Sequence, residues 1–248
     1  MFDNITLEIK HDIAVITLSR LEKLNAVTLH MTNELIQALD EVESNDEVRI
    51  AILTGAGHVF SVGGDRKGLA EDKLSAGLEM EERLANFKKP IIAAVEGYAL
   101  GFGAEAMLLC DIAIAAEGTK IGFLGALAGV LCTTALNYLP IQVGRGKALE
   151  LMLTCEQIDA AEALRIGLVS KVVPPDKLMD AAFDMAERIK RVAPLSAKLT
   201  KQGVAHNHRG VGDIAYLNRA LAEIEDSEDR KEAAKAFFEN RKPCWTGS

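Results

Sequence analysis

The apolar and polar positions change period several times along the chain, and each change marks an element. Residues 5–10 and 13–18 alternate or run apolar on either side of His11 and Asp12, which predicts a hairpin of two strands. From Thr28 to Ser44, the side chains Leu29, Leu35, Ile36, Leu39 and Val42 fall at helical spacing, with Thr28 as the N-cap. The run VRIAILTG, closed by Gly55, predicts a third strand, and a loop with four glycines, GAGHVFSVGGD, follows it. Residues 69–88 are charged and read as helical. Then come the strand PIIAAVE, a glycine-rich bend, an apolar helix and the strand DIAIAAE. Strand and helix alternating in this way predict α/β layers with much parallel pairing. The sheet pattern fades after about residue 173, VVPPDK breaks it, and 176–240 reads as charged amphipathic helix, an appendage that packs elsewhere.

Composition narrows the function classes. The chain has 248 residues, 49% of them hydrophobic, enough for one large core with a smaller helical extension. Its formal net charge is −8 and no Lys/Arg block stands out, so neither nucleic acid nor an anionic membrane is an expected partner. The longer apolar runs, such as 106–116 with Asp111 inside it, are too short to span a bilayer. The start, MFDNITLEIK, lacks the basic-then-apolar plan of a signal peptide. Cys110, Cys132, Cys155 and Cys244 form no C-x-x-C pair and read as free thiols of a reducing, cytoplasmic compartment.

The chemistry concentrates in two loops. The stretch 97–111, GYALGFGAEAMLLCD, sets a single carboxylate, Glu105, inside an apolar helix just after a glycine bend. Within it GFGAEA fits G-x-G-x-x-A, the pattern of a pyrophosphate cradle at a helix N-terminus, but GYAL makes the bend longer than that tight turn allows. The other loop is HVFSVGGDRKG at 58–68, where Gly63 and Gly64 permit close approach of backbone to a ligand. Each loop follows an apolar strand of one presumed sheet. Parallel strands place both at its carboxyl edge, where ligands bind in such sheets. Two bends there can aim two backbone N–H groups at one carbonyl oxygen as negative charge develops on it. The chain has no G-x-S-x-G, H-E-x-x-H or G-x-x-x-x-G-K, and His206 and His208, two apart on a predicted helix, do not share a face; no metal is expected.

FSVGGDRKG, followed about thirty residues later by KKPIIAAVEGYALGFGAEAMLLCDIAIA, resembles the enoyl-CoA hydratase/isomerase (crotonase) superfamily. RLEKLNAV at 20–27, VGRGKALELMLT at 143–154, DAAEALRIGLVSKVVP at 159–174 and FFENRKPCW at 237–245 extend the resemblance over nearly the whole chain. The resemblance implies an α/β crotonase-like spiral of ββα repeats over residues 1–190 and a C-terminal helical trimerisation region over 191–248. It also implies a homotrimer or a dimer of trimers, and an acyl thioester substrate carried by coenzyme A or a carrier protein. No cofactor is expected to be tightly bound, since coenzyme A is part of the substrate.

On the family pattern the two N–H donors to an enolate fall at Gly64 and Phe102, the latter a position where glycine is usual. Glu105, three residues on, matches one of the two acid/base glutamates of the hydratases, and burial should raise its pKa toward neutrality. The nucleotide end of coenzyme A is matched by Lys23, Asn25 and Ala26 and by Asp65, Arg66 and Lys67, with Gly63 and Gly64 letting the backbone approach the pantetheine arm, although Leu21 stands where a proline is usual. The second glutamate is missing. The usual F-G-x-P-E reads IGFLG here, with Gly125 in the glutamate's place, and VLCTTALNYLP replaces the glycine- and proline-rich turn after it. Glu81, Glu82, Cys132, Thr133 and Asn137 are the polar candidates for its role, and the sequence does not select among them. Hydratase is the leading expectation. Isomerase, carbon–carbon hydrolase or decarboxylase chemistry, and a catalytically weak acyl-CoA scaffold, are the alternatives that Gly125 leaves open.

Overall fold

The computed structural model describes residues 2–65, 75–128, 131–207, 226–239 and 241–248. Strands β1 (Ile5–Lys10) and β2 (Ile13–Leu18) form the expected antiparallel hairpin. His11 and Asp12 turn it with positive φ, and α1 (Leu29–Ser44) starts where Thr28 Oγ1 accepts from the Met31 N–H at 3.2 Å. From β2 onward the sheet is parallel: β2 pairs with β3 (Ile50–Gly55), β3 with β4 (Ile91–Val95), β4 with β6 (Ile112–Ala116), and β6 with β9 (Lys171–Val173). The spatial order β1-β2-β3-β4-β6-β9 therefore steps steadily in one direction.

A second, shorter layer runs beside this sheet. After β4 the chain adds β5 (Tyr98–Leu100), then α3 (Phe102–Leu109). After β6 it adds β7 (Lys120–Gly122), which pairs with β5, and later α4 (Thr133–Val143). The two earlier turns contribute single bridges to the same layer, Val27 with Gly64 and Ser61 with Ala99, ahead of α1 and α2 (Ser75–Ala85) respectively. Long strand, short strand and helix thus repeat from turn to turn, as a ββα spiral. The bend GYAL is where the second strand sits, so it is structure rather than a long loop.

Side chains on one face of the sheet, Ala14, Ile16, Leu18, Ala51, Leu53, Ile91, Ala93 and Val95, pack under α1, α2 and α3. The alternate positions Ile13, Ile50, Ile52, Ile92, Ala94, Ile114 and Ala116 face the other way and are covered by α7 (Leu178–Ile189) through Leu178, Ala181, Ala182 and Ala186. This is period-two burial on both faces of a parallel sheet. It corrects the reading of 176–240 as an appendage, because its first helix closes the core of its own chain. Beyond it, α8 (Pro194–Asn207) is tied to the sheet's amino edge, with Lys201 Nζ 2.9 Å from Asp111 Oδ2. The remaining named elements are α5 (Arg145–Thr154), β8 (Ile158–Asp159), α6 (Ala160–Arg165) and α9 (Glu228–Phe238).

Candidate active site

Both glycine loops leave the carboxyl ends of neighbouring parallel strands, β3 and β4, and they touch. Ser61 N–H donates to the Tyr98 carbonyl at 2.8 Å and Leu100 N–H to the Ser61 carbonyl at 3.0 Å. Gly63 is buried at φ +99°, and a Cβ there would lie 2.8 Å from the Leu100 oxygen and 3.5 Å from the Phe102 nitrogen. Only glycine fits that contact. Gly103 packs as tightly, since its Cβ would meet the Ser61 oxygen at 2.6 Å. On the far side of the loop, Val27 N–H donates to the Gly63 carbonyl and Asp65 N–H to the Val27 carbonyl, each at 2.8 Å. In a parallel bridge of that form the N–H of the residue between, Gly64, points away from the Val27 strand. Phe102 opens α3 after Gly101, at φ 49° and ψ −119°, so its N–H is one of those a helix start leaves without an intrahelical acceptor. The helix field there is positive. Backbone donors so arranged suit an oxygen that gains negative charge.

Glu105 N–H closes the first turn of α3 onto the Gly101 carbonyl at 3.0 Å. The side chain is only 5% exposed, and its Oε1 accepts from the Ala135 N–H at 3.2 Å. Ala135 lies in the first turn of α4, whose N-cap, Cys132, makes no side-chain cap bond. The carboxylate of one helix therefore serves the free N–H groups of another. Glu81 comes to the same helix end from α2, its Oε2 accepting from the Thr133 hydroxyl at 2.9 Å. Burial, and then the charge of Glu81, push the Glu105 carboxyl up to about 7, against the opposing pull of the Ala135 and Thr134 N–H groups. A carboxyl at that value exchanges protons readily near neutral pH.

Of the five polar candidates for the second group, two meet Glu105's surroundings productively. Glu81 and Thr133 are bonded to each other beside it. Cys132 is there too, with a backbone hydrogen bond from Gly125, but burial and then Glu105 push its thiol up to about 11, so it stays protonated. Glu82 and Asn137 are exposed, and Asn137 spends its amide on the Thr133 carbonyl. Gly125 itself is buried at the start of a 3-10 turn, Gly125–Ala128.

The expected nucleotide-end residues differ in where they lie. The Val27–Gly64 bridge does bring the Lys23–Val27 segment beside Gly63, Gly64 and Asp65. Lys23 is exposed at the end of the turn Leu21–Lys23. Asn25 and Ala26 are buried, so what their segment can offer a ligand is backbone. At φ +56°, Asn25 donates to the Ala56 carbonyl at 3.0 Å and the Val59 carbonyl at 2.6 Å, and accepts from Arg20 N–H at 2.9 Å. It is a brace beneath the glycine loop. Asp65 is paired with Arg20, Nη1 to Oδ2 2.8 Å, and so presents no free charge. Arg66, Lys67 and His208 lie outside the described residues. Sequence reasoning missed Arg20 and Ser61; the Ser61 hydroxyl donates to the Asn25 carbonyl at 2.7 Å and accepts from Gly63 N–H at 3.1 Å. A buried serine leaves no periodic signal. Asn25→Ala is expected to cost about 2–4 kcal/mol in a urea titration, because it strands several buried partners at once. A loss under about 0.5 kcal/mol would show that the brace is dispensable.

Two other features are not part of this site. A cleft of about 610 Å³ lined by Glu43, Arg49, Lys88, Lys89, Lys198 and Trp245 sits at the amino ends of the strands, opposite the loops. Asp3, His30 and Glu34 bring three ligand atoms within 4.8 Å of one another, but the Glu34 oxygens already accept from the Asp3 and Asn4 N–H groups. Among the described residues no helix is long and apolar enough to cross a membrane.

The family model described as enoyl-CoA hydratase/isomerase matches residues 8–248. An (E)-benzylidenesuccinyl-CoA hydratase of Thauera aromatica is 38% identical over 258 residues, spanning 98% of this chain and 99% of the relative. A short-chain-enoyl-CoA hydratase of Clostridium acetobutylicum is 38% identical over 254 residues, spanning 97% and 96%. Among solved structures, enoyl-CoA hydratase from Mycobacterium tuberculosis H37Rv superimposes with a TM-score of 0.93 at 34% identity, covering 99% of each chain. The ββα spiral is thus the crotonase-type fold of these structures.

Proposed function

Because the chain belongs to the enoyl-CoA hydratase/isomerase family, we propose that it adds water across the double bond of an enoyl-CoA, with Glu105 as an acid/base group and the Gly64 and Phe102 N–H groups holding the thioester oxygen. It is an enoyl-CoA hydratase-like enzyme acting on acyl-CoA thioesters. The observation that carries the finer reading is the position of Glu105: buried, near neutral in pKa, and three residues after the N–H that opens α3. As the thioester oxygen gains charge, the two N–H groups and the helix field stabilise the enolate, and a proton is exchanged at the α-carbon beside it.

Coenzyme A is the carrier we favour over a carrier protein, with Lys23, Arg66 and Lys67 meeting its phosphates and Gly63 admitting the pantetheine arm. The test is a panel of enoyl-CoA esters followed by loss of the conjugated enoyl absorbance. Turnover of roughly 1–1,000 per second on at least one ester supports the reading. Saturable binding of every ester without hydration would overturn it in favour of a scaffold.

We also propose the family's trimer or dimer of trimers, in the cytoplasm, with residues 191–248 contributing to assembly. Leu127, Leu131, Leu136, Ile141 and Leu153 support this, being between 48% and 74% exposed along α4, α5 and the turn before them, an apolar display that suits an interface. Light scattering is expected to give three or six times the chain mass of 26.7 kDa; a monomer at micromolar concentration would exclude it.

A further inference from the structure

We infer that Glu81 is the second proton-handling group of this site, taking from α2 the role that Gly125 cannot fill. The inference rests on the hydratase reading above and adds a residue to it. Two carboxylates converge on the first turn of α4, Glu105 on the Ala135 N–H at 3.2 Å and Glu81 on the Thr133 hydroxyl at 2.9 Å, two residues apart. Glu105 is buried, whereas Glu81 is half-buried and so retains access to water. The titratable neighbours that Glu105 feels from the helices packed on it are Glu81 from α2 and Cys132 from the cap of α4, and the thiol stays protonated. The Glu81 charge, after burial, is the second cause that favours a proton on Glu105.

The step balances with one proton on the pair. Glu105 starts protonated and Glu81 ionised. Glu81 takes a proton from water as the water oxygen bonds to the β-carbon. The π pair shifts to the α-carbon and the thioester oxygen. Glu105 then gives its proton to the α-carbon, and the pair is reset when the proton on Glu81 returns to Glu105. Glu105 has the α-carbon side because it shares α3 with the Phe102 N–H; Glu81, on the neighbouring helix, has the water side.

The test is Glu81→Gln, assayed for hydration against pH with binding of a saturated acyl-CoA measured beside it. Turnover should fall by about 100-fold or more with binding unchanged within about threefold, as for loss of one general base. The acid limb should disappear, and the alkaline limb set by Glu105 should move to lower pH, since removing the Glu81 charge lowers the Glu105 pKa. Removing the Glu81 charge moves the alkaline limb whatever its role, so loss of the acid limb is the readout that a purely structural Glu81 would not give. If Glu81→Gln melts early, Thr133→Val reads the same pair without touching a carboxylate, and should lower turnover about tenfold with shifted limbs. Turnover near the parent's with the acid limb kept in a folded variant, while the parent enzyme hydrates normally, would overturn the role of Glu81 and leave the hydratase reading intact. A parent enzyme that hydrates no ester would instead remove the reading itself.

Discussion

Glu105→Gln is expected to lower hydration by about 100- to 10,000-fold while sparing acyl-CoA binding, because the amide keeps the shape and cannot exchange the proton. Its Oε1 still accepts from the Ala135 N–H, so the start of α4 stays capped. The same substitution has a signature in stability. In the folded chain the carboxyl is raised from about 4.5 to about 7, first by burial and then by Glu81. Folding therefore takes up a proton at this position between those values. The resulting stability is fully present below about 4.5 and is lost as the pH rises through 7. Above that, the folded chain must hold a buried charge, at a cost on the order of 3 kcal/mol. Glutamine carries no such charge. The melting temperature of the variant should rise relative to its parent between pH 5 and pH 8, by several degrees where melting is reversible. Unchanged turnover on the true substrate would make Glu105 structural, and a melting difference independent of pH would mean that its carboxyl is not perturbed.

What the sequence discloses about this site follows from the range of each signal. Glu105 stands out because one carboxylate in AEAMLLC has no polar neighbour to hide among, and the helix that holds it forms as its pattern predicts. The contact between the two loops is also legible, since parallel β3 and β4 must deliver both to one edge. Strand β5 is not legible: three residues are too few to show a period, and it pairs with β7 in a small sheet apart from the main one. The destination of α7 is hidden because an amphipathic stripe of Leu178, Ala181, Ala182 and Ala186 states that a surface is covered, not which one. The bracing role of Asn25 is hidden for a different reason. The resemblance places it in a segment beside the nucleotide end, while its left-handed backbone and three side-chain hydrogen bonds belong to the folded loop alone. Choosing Glu81 from five polar candidates needs the distance between α2 and α4, and that distance is a property of the packed spiral alone.

Phe102→Pro is expected to cost about 100- to 1,000-fold in turnover, the range for deleting one donor to a developing oxyanion. Proline at this position removes the N–H and little else of the backbone. Phe102 is the first residue of α3, where proline's fixed φ suits the helix and its missing N–H breaks no intrahelical bond. The residue before proline is normally pressed into extended backbone with positive ψ. Gly101, at φ 49° and ψ −119°, holds the mirror image of that conformation, which glycine adopts freely. The ring is lost as well, and it packs partly against the main core, so Phe102→Ala is the companion variant that loses the ring and keeps the donor. The alanine variant should melt earlier and change KM more than kcat; the proline variant should lower kcat at a comparable melting temperature. If both variants fold and both retain kcat, no charge develops against this N–H. The start of α3 would then serve to place Glu105, and the enolate would have to be held from the Gly64 side alone.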